Sequence, residues 1–398
     1  MSVFEHITVI SDIGRQYLRL SLASDVGPVR LRNLVRHFGS IDSVLGASMG
    51  ELMQVSQVGE VVARSVFKAR GGEDVDRAIE QAAQGGARIL CAEDGEYPQS
   101  LLNIPDPPIC LFVRGGLLPT DVVSVAIVGT RRCSQYGAEQ ARRFGMILGQ
   151  AGFTVVSGLA RGIDSYAHRG ALQSSGRTIA VLGNGLATIY PAEHEALAAE
   201  IVERGAVVSE LPMDFQPDAK NFPPRNRIIA GLTLGVVVIE AGKRSGALIT
   251  ARLASEYNRE VFGLPGRVDQ PDRTLGVHRL IRDGQAKLIT CLEDVLDEFQ
   301  EVGAIMRPEP DGLFDEEARA DGMDKPVVGP AQIVNLAPHE HAIYEAVQSG
   351  CEDFEDIRET TGLPIWRISS SLTALQLKGL IRQLPGNRFM LRVPSARG

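Results

Sequence analysis

Val236-Val-Val-Ile-Glu-Ala-Gly-Lys-Arg-Ser-Gly246 opens as an uninterrupted apolar run and closes on glycine, lysine and arginine. Such a run suits a strand buried on both faces, as in a parallel sheet covered by helices. The same order of apolar run, glycine and cation recurs in Val125-Ala-Ile-Val-Gly-Thr-Arg-Arg132, Val155-Val-Ser-Gly-Leu-Ala-Arg-Gly162 and Val261-Phe-Gly-Leu-Pro-Gly-Arg267. Strands are expected at Val122 to Val128, Thr154 to Ser157, Thr178 to Leu182, Ala206 to Ser209, Gly235 to Ile239 and Glu260 to Leu264. Helical stretches separate them, such as Gly137 to Ala151, where Ala141, Phe144, Ile147, Leu148 and Ala151 fall at helical spacing. The alternation predicts an α/β fold with a doubly wound, mainly parallel sheet. The carboxyl ends of parallel strands share one edge, so the cations of these turns should meet in one crevice. Cations beside the positive ends of helices are unfavourable unless an anion sits among them, which predicts a phosphate site.

Composition limits the partner. The chain holds 41 Lys and Arg against 49 Asp and Glu, a formal charge of −8, so a polyanion has to be held locally rather than by an overall basic surface. Apolar residues make up 44% of the 398 residues, yet none of the uncharged apolar runs reaches the ~18 residues of a membrane span. Met1-Ser-Val-Phe-Glu-His6 lacks the basic-then-apolar order of a signal peptide, so a cytoplasmic protein with no membrane partner is expected. The five cysteines (Cys91, Cys110, Cys133, Cys291 and Cys351) are widely spaced and form no C-x-x-C pair, which predicts no metal site. Cys133, beside Arg131 and Arg132 near a helix start, is the one whose thiolate stands to be stabilised.

Four segments follow from composition: a helical module over 1–75, the sheet domain over 76–300, a linker over 301–335 and a terminal domain over 336–398. Asp25-Val-Gly-Pro28 and Val55-Ser-Gln-Val-Gly59 resemble helix-hairpin-helix turns, with Gln57 where the first glycine of the second turn is usual. Phosphate binding and simple helical packing are both compatible with that module. The stretch from 307 to 330 is rich in Pro, Gly, Asp and Glu, too poor in apolar residues to build a core. Helices around His339 to Gln348, Phe354 to Thr361 and Ile365 to Leu380, then two short strands around a Pro-Gly-Asn turn, predict a winged helix that contacts DNA or protein.

In the first strand-to-helix turn, Gly129 lets the backbone approach an anion and Arg131 supplies a bidentate donor. Neither G-x-G-x-x-G nor G-x-x-x-x-G-K-[ST] occurs, which removes the usual support for nicotinamide chemistry and ATP hydrolysis. In the second turn Asp164 is a candidate general base, with a helix N-cap or a partner for a neighbouring arginine as the simpler role. Lys220-Asn-Phe-Pro-Pro-Arg-Asn-Arg227 places Arg225 and Arg227 at the positive end of a helix, about 200° apart around its axis. One is therefore expected to meet the ligand and the other to be held by a carboxylate. Phe222 either stacks on a base or packs in the core. Ser245 is the expected N-cap of the next helix, with Lys243 and Gly246 beside it, and Thr250 is expected inside that helix.

Val128-Gly-Thr-Arg131 with Tyr136-Gly137, Ser157-Gly-Leu-Ala-Arg-Gly-Ile-Asp164, Tyr190-Pro191, Phe222-Pro-Pro-Arg-Asn-Arg-Ile-Ile-Ala-Gly-Leu232, Ser245-Gly-Ala-Leu-Ile-Thr-Ala251 and Leu264-Pro-Gly266 together resemble the DprA (Smf) family of DNA-processing proteins. The resemblance runs from about Tyr97 to Leu288 and is weaker in the outer modules, the first of which is SAM-like or helix-hairpin-helix-like. It implies an extended Rossmann-like fold, homodimerisation through that domain, and binding of single-stranded DNA without strong sequence preference. It further implies delivery of the strand to the recombinase RecA during transformation, with no cofactor and no turnover. It assigns DNA contacts to Gly129, Arg131, Ser157, Gly158, Arg225, Arg227, Lys243, Ser245 and Gly246; Arg161 and Phe222 join them from the reading of their turns. Lys220 lies in a stretch, 214–221, without a recognisable pattern and is a separate candidate. The alternative is an enzyme resembling the LOG nucleotide phosphoribohydrolases. Their Pro-Gly-Gly-x-Gly-Thr-x-x-Glu signature is absent, and Leu264-Pro-Gly-Arg-Val-Asp269 lacks its glutamate.

Overall fold

The computed structural model describes residues 9–71, 73–299, 336, 338–363, 367, 368, 371, 372, 375, 380–384 and 388–391. It divides into two compact units, Met1–Leu117 with Ser124–Thr290, and Leu118–Val123 with Cys291–Gly398. The expected linker lies outside the described residues, as do the Pro-Gly-Asn turn and much of the third winged-helix helix.

The first unit begins with helices α1 (Asp12–Ser21), α2 (Pro28–Phe38), α3 (Ile41–Gly46), α4 (Met49–Leu52), α5 (Glu60–Lys68) and α6 (Glu73–Gln84). Serine caps open α1, α3 and α4, where Ser11, Ser40 and Ser48 each accept a backbone N–H from the first turn. Gly27 and Gly59 open α2 and α5. Gln57 takes φ 66°, the left-handed conformation that makes glycine usual there. The buried faces of these helices share one core with Ile89, Cys91, Cys110 and Phe112 of the adjoining sheet.

That sheet has nine strands in the order β1-β2-β6-β5-β4-β3-β7-β8-β9. They are β1 (Arg88–Cys91), β2 (Cys110–Gly115), β3 (Ser124–Gly129), β4 (Thr154–Ser157), β5 (Thr178–Val181), β6 (Ala206–Ser209), β7 (Gly235–Ile239), β8 (Glu260–Gly263) and β9 (Lys287–Leu288). The strands from β6 to β9 pair in parallel, whereas β2 runs antiparallel to both β1 and β6. Strands β1, β2 and β9 were not anticipated; β1 and β2 form the antiparallel end of the sheet, and the two-residue β9 closes its parallel end.

Every residue of β7 is buried, consistent with a central strand in which each Val or Ile contributes ~1.5–3 kcal/mol of burial. Helices α7 (Gln99–Leu102), α8 (Gln135–Gln150), α9 (Ile163–Gln173), α10 (Glu195–Arg204), α11 (Phe222–Leu232), α12 (Ala247–Glu256) and α13 (Pro271–Arg282) complete the unit. From β3 the chain moves through β4 and β5 to β6, then crosses to β7 on the other side of β3 and continues outward to β8 and β9. The direction of winding reverses between β3 and β7. At such a reversal the loops leaving the two strands diverge and open a crevice at their carboxyl ends.

In the second unit, helices Pro338–Gln348 and Phe354–Thr361 and an antiparallel pair, β10 (Ile381–Leu384) with β11 (Arg388–Leu391), enclose Ile343, Ile357, Leu372, Leu375 and Phe389. No helix among the described residues is long and apolar enough to cross a membrane.

Candidate nucleic-acid interface

The loops after β3 and β7 diverge around a cavity of about 940 Å³, with the N-terminus of α11 between them. Gly129 ends β3, where a Cβ would collide with Ile239 O of β7. The two strands can therefore carry their turns side by side only with glycine at this point. Thr130 N–H then donates to Glu240 O at 2.7 Å, closing one turn onto the other. Glu240 is buried in the left-handed conformation, φ 48°, which is uncommon outside glycine and concentrates at functional sites. Its carboxylate accepts Ser134 N–H at 2.8 Å and the Ser134 hydroxyl, while Ser134 caps α8 through Gly137 N at 3.1 Å. Nothing in the sequence pattern singles out this carboxylate, which fixes the entry of α8 beside the cavity.

Cations line the mouth. Arg131 and Arg132 stand on the β3 turn and Lys243 and Arg244 on the β7 turn, all exposed, and none forms an ion pair with a carboxylate among the described residues. Arg132 and Arg244 lie within the quoted turns beside Arg131 and Lys243, and the sequence pattern alone does not mark them as contacts. The Arg131 guanidinium lies 5.0 Å from the centroid of the Phe222 ring, a cation–π arrangement that leaves its charge facing the cavity. Phe222 is at the cavity wall, not in the core. Gly183 makes room for it, since a Cβ there would come 3.0 Å from the ring.

Arg225 forms the floor. Its Nη1 donates to Gly158 O at 3.0 Å and to Val181 O, and its Nε to Asn226 Oδ1 at 3.2 Å. Burial pulls its pKa down to about 10, opposed by the attraction of Asp164. A Cβ on Gly158 would lie 2.5–2.7 Å from this guanidinium, which is why glycine stands there. Asp164 accepts Gly158 N–H at 3.1 Å and Ala160 N–H at 3.4 Å. Burial raises its pKa, against the pull of Arg225, those two N–H donors and Arg131. Gly162 occupies the N-cap of α9, so Asp164 acts as partner to the preceding loop and to Arg225. This carboxylate thus takes up the N–H groups of Gly158 and Ala160 on the β4 turn.

The sequence profile described as DNA recombination-mediator protein A matches residues 88–300, over half of the chain. Protein Smf of Synechocystis sp. is 35% identical over 394 residues, covering 94% of this chain and 98% of that protein. The chain belongs to the DNA recombination-mediator protein A family. Profiles of a helix-hairpin-helix motif and of the DprA winged helix domain match residues 22–69 and 329–387. DNA processing protein DprA of Streptococcus pneumoniae is 45% identical over 208 residues, 52% of this chain and 72% of that protein. The X-ray structure of DprA from the same species superposes with a TM-score of 0.62 at 34% identity, covering 73% of this chain and 99% of that one.

In this member of the DprA family the structure gathers Gly129, Arg131, Phe222, Arg225, Lys243, Ser245 and Gly246 around one cavity. Four other expected residues lie elsewhere. The Ser157 hydroxyl is buried and donates to Ile127 O at 2.6 Å. Gly158 packs against the Arg225 guanidinium and is absent from the cavity lining. Arg227 is clamped by Glu210 at 2.5 Å and Asp106 at 3.1 Å, the arginine of the pair held by carboxylates, while Arg225 is itself buried and held by backbone carbonyls. Arg161 pairs with Glu193 outside the cavity lining. Arg267, at the end of the fourth turn, pairs with Asp269 at 2.8 Å and is likewise absent from the lining. Lys220 pairs with Asp218 at 3.0 Å. Gly246, not Ser245, holds the N-cap of α12, and the Ser245 hydroxyl accepts Ala247 N–H at 3.3 Å. Thr250 is buried inside α12, as expected. The Cys133 thiol is pushed up by burial and by Glu240, the reverse of the stabilised thiolate expected beside two arginines.

Proposed function

We propose that this chain binds single-stranded DNA in the crevice between β3 and β7 and acts as a recombination mediator without turnover. The observation that carries the reading is the combination at the cavity mouth: exposed cations without a carboxylate ion pair among the described residues, next to a ring capped by one of them. Phosphates supply the missing counterions and release solution ions on binding, while a ring accepts any base face. Neither contact reads base identity, so affinity should be largely independent of sequence. The two buried carboxylates at the crevice, Asp164 and Glu240, are each engaged by N–H or hydroxyl donors, which favours binding over hydrolysis of a nucleotide.

We further propose that a homodimer of this chain hands the bound strand to RecA during DNA uptake in the cytoplasm; the recombination-mediator description of the family supports the mediator role. A dimer sets two crevices on one strand and raises apparent affinity by avidity. The test is RecA-dependent strand exchange on DNA coated with single-strand-binding protein. Stimulation by this chain, lost in Arg131→Ala with Lys243→Ala, supports the reading. No stimulation, or release of free base from nucleoside monophosphates, counts against it.

A further inference from the structure

Among the described residues, three Phe or Tyr side chains are exposed: Phe67, Tyr190 and Phe215. Phe67 is partnered, with the Arg70 guanidinium 4.3 Å from its centroid. Tyr190 and Phe215 stand on the loops that follow β5 and β6. Both strands are parallel to β3, so these loops share the carboxyl edge with the crevice. The two loops are stitched together: Gly185 N–H donates to Phe215 O and Ala187 N–H to Met213 O, each at 2.8 Å. Tyr190 is 38% exposed and Phe215 39%. The Tyr190 ring lies 5.8 Å from that of Phe222 and is tilted 43° to it, so the aromatic surface of the cavity wall continues outward onto the β5 loop.

Apolar rings facing water singly need no explanation, but two on a stitched double loop, one of them next to Phe222, form a pattern. β5 and β6 lie two and three strands from β3, about 10 and 15 Å away at the usual ~4.8 Å spacing. We propose that Tyr190 and Phe215 form an aromatic track that extends the crevice along the carboxyl edge toward β6, taking unpaired bases of the strand whose phosphates the β3 and β7 turns hold. The inference rests on the binding reading above and adds a direction: the strand leaves the cavity over Phe222 and runs across β5 and β6. Arg161, whose partner Glu193 lies on the segment just after Tyr190, borders this path.

The experiment compares a labelled oligo-dT of about 20 nucleotides with an abasic strand of equal length, which keeps the phosphates and lacks the bases. Anisotropy titrations use the full chain and its Tyr190→Ala, Phe215→Ala and Tyr190→Phe variants. Each alanine variant is expected to lose at least about fivefold in affinity for dT. Affinity for the abasic strand and the salt dependence should stay as in the unsubstituted chain, and Tyr190→Phe should retain dT binding. A variant that binds dT unchanged, or that loses equally on the abasic strand, removes its ring from the track while leaving the crevice reading intact. Failure of the unsubstituted chain to bind either strand overturns both. Because both rings are exposed, thermal melts of the variants should match that of the parent.

Discussion

At the scale of residues, the crevice separates arginines bonded within the protein from exposed cations that, in the proposed reading, meet the strand. Arg227 sits between two carboxylates and Arg225 among backbone carbonyls, whereas Arg131 and Lys243 have no such partners among the described residues. Replacing Arg131 or Lys243 by alanine should weaken single-strand binding on every sequence and leave the melting temperature unchanged. Each should also reduce the slope of log affinity against log salt by about 0.7, the value of one phosphate contact on a single strand. Gly158→Ala should act differently: its methyl would press on the buried Arg225 guanidinium. Overpacking of that kind costs ~1–3 kcal/mol, visible as a lower urea midpoint. An unaltered midpoint would mean that Arg225 yields easily and is no fixed floor.

At the scale of elements, the β3 and β7 turns are one device, joined by Thr130 N–H on Glu240 O and by the Glu240 carboxylate on the cap of α8. Glu240→Gln removes the charge from an acceptor of two donors and is expected to cost ~1–3 kcal/mol. Hydrogen exchange should show the loss first in the opening turn of α8; equal protection in both proteins would contradict this role. The parallel core was legible in the sequence because each strand is a short run of Val, Ile and Ala bounded by glycine. Thr154–Ser157, Ala206–Ser209 and Gly235–Ile239 fall where expected. β1 and β2 were not, since Arg88–Cys91 and Cys110–Gly115 flank an irregular segment and pair antiparallel at the sheet edge. The arginines of the α11 start were legible as a conflict with the helix dipole. The role of Asp164 as a built-in anion was not, because it depends on N–H groups of Gly158 and Ala160 that only the folded loop directs at it. Arg161 misled for a related reason: its partner Glu193 lies 32 residues away in sequence.

At the scale of the whole molecule, a formal charge of −8 coexists with a local cationic mouth, so binding should be steep in salt yet confined to one edge of the sheet. A buried histidine on α9 makes stability depend on pH. His168 Nδ1 lies 2.6 Å from Thr178 Oγ1, and burial lowers the His168 pKa from 6.5 to about 3, with His194 and Arg225 adding to the shift. A folded-state pKa below the unfolded one means that the unfolded chain binds the extra proton first. Stability from His168 is thus present above pH ~6.5 and is lost as pH falls toward ~3, at up to ~1.4 kcal/mol per unit. Asp164, with a raised pKa, acts in the opposite sense over its own window. Urea midpoints at pH 7.5 and 5 should therefore fall for the parent and less for His168→Asn; equal falls would assign the acid sensitivity to other groups.

The central claim is that a single strand occupies the β3–β7 crevice, and fluorescence anisotropy of labelled oligo-dT beside its duplex counterpart, at several salt concentrations, tests it most directly. Tighter binding of the single strand, falling steeply with salt and weakened by Arg131→Ala, is the predicted result. Equal affinity for strand and duplex, or binding indifferent to Arg131 and Lys243, would contradict it.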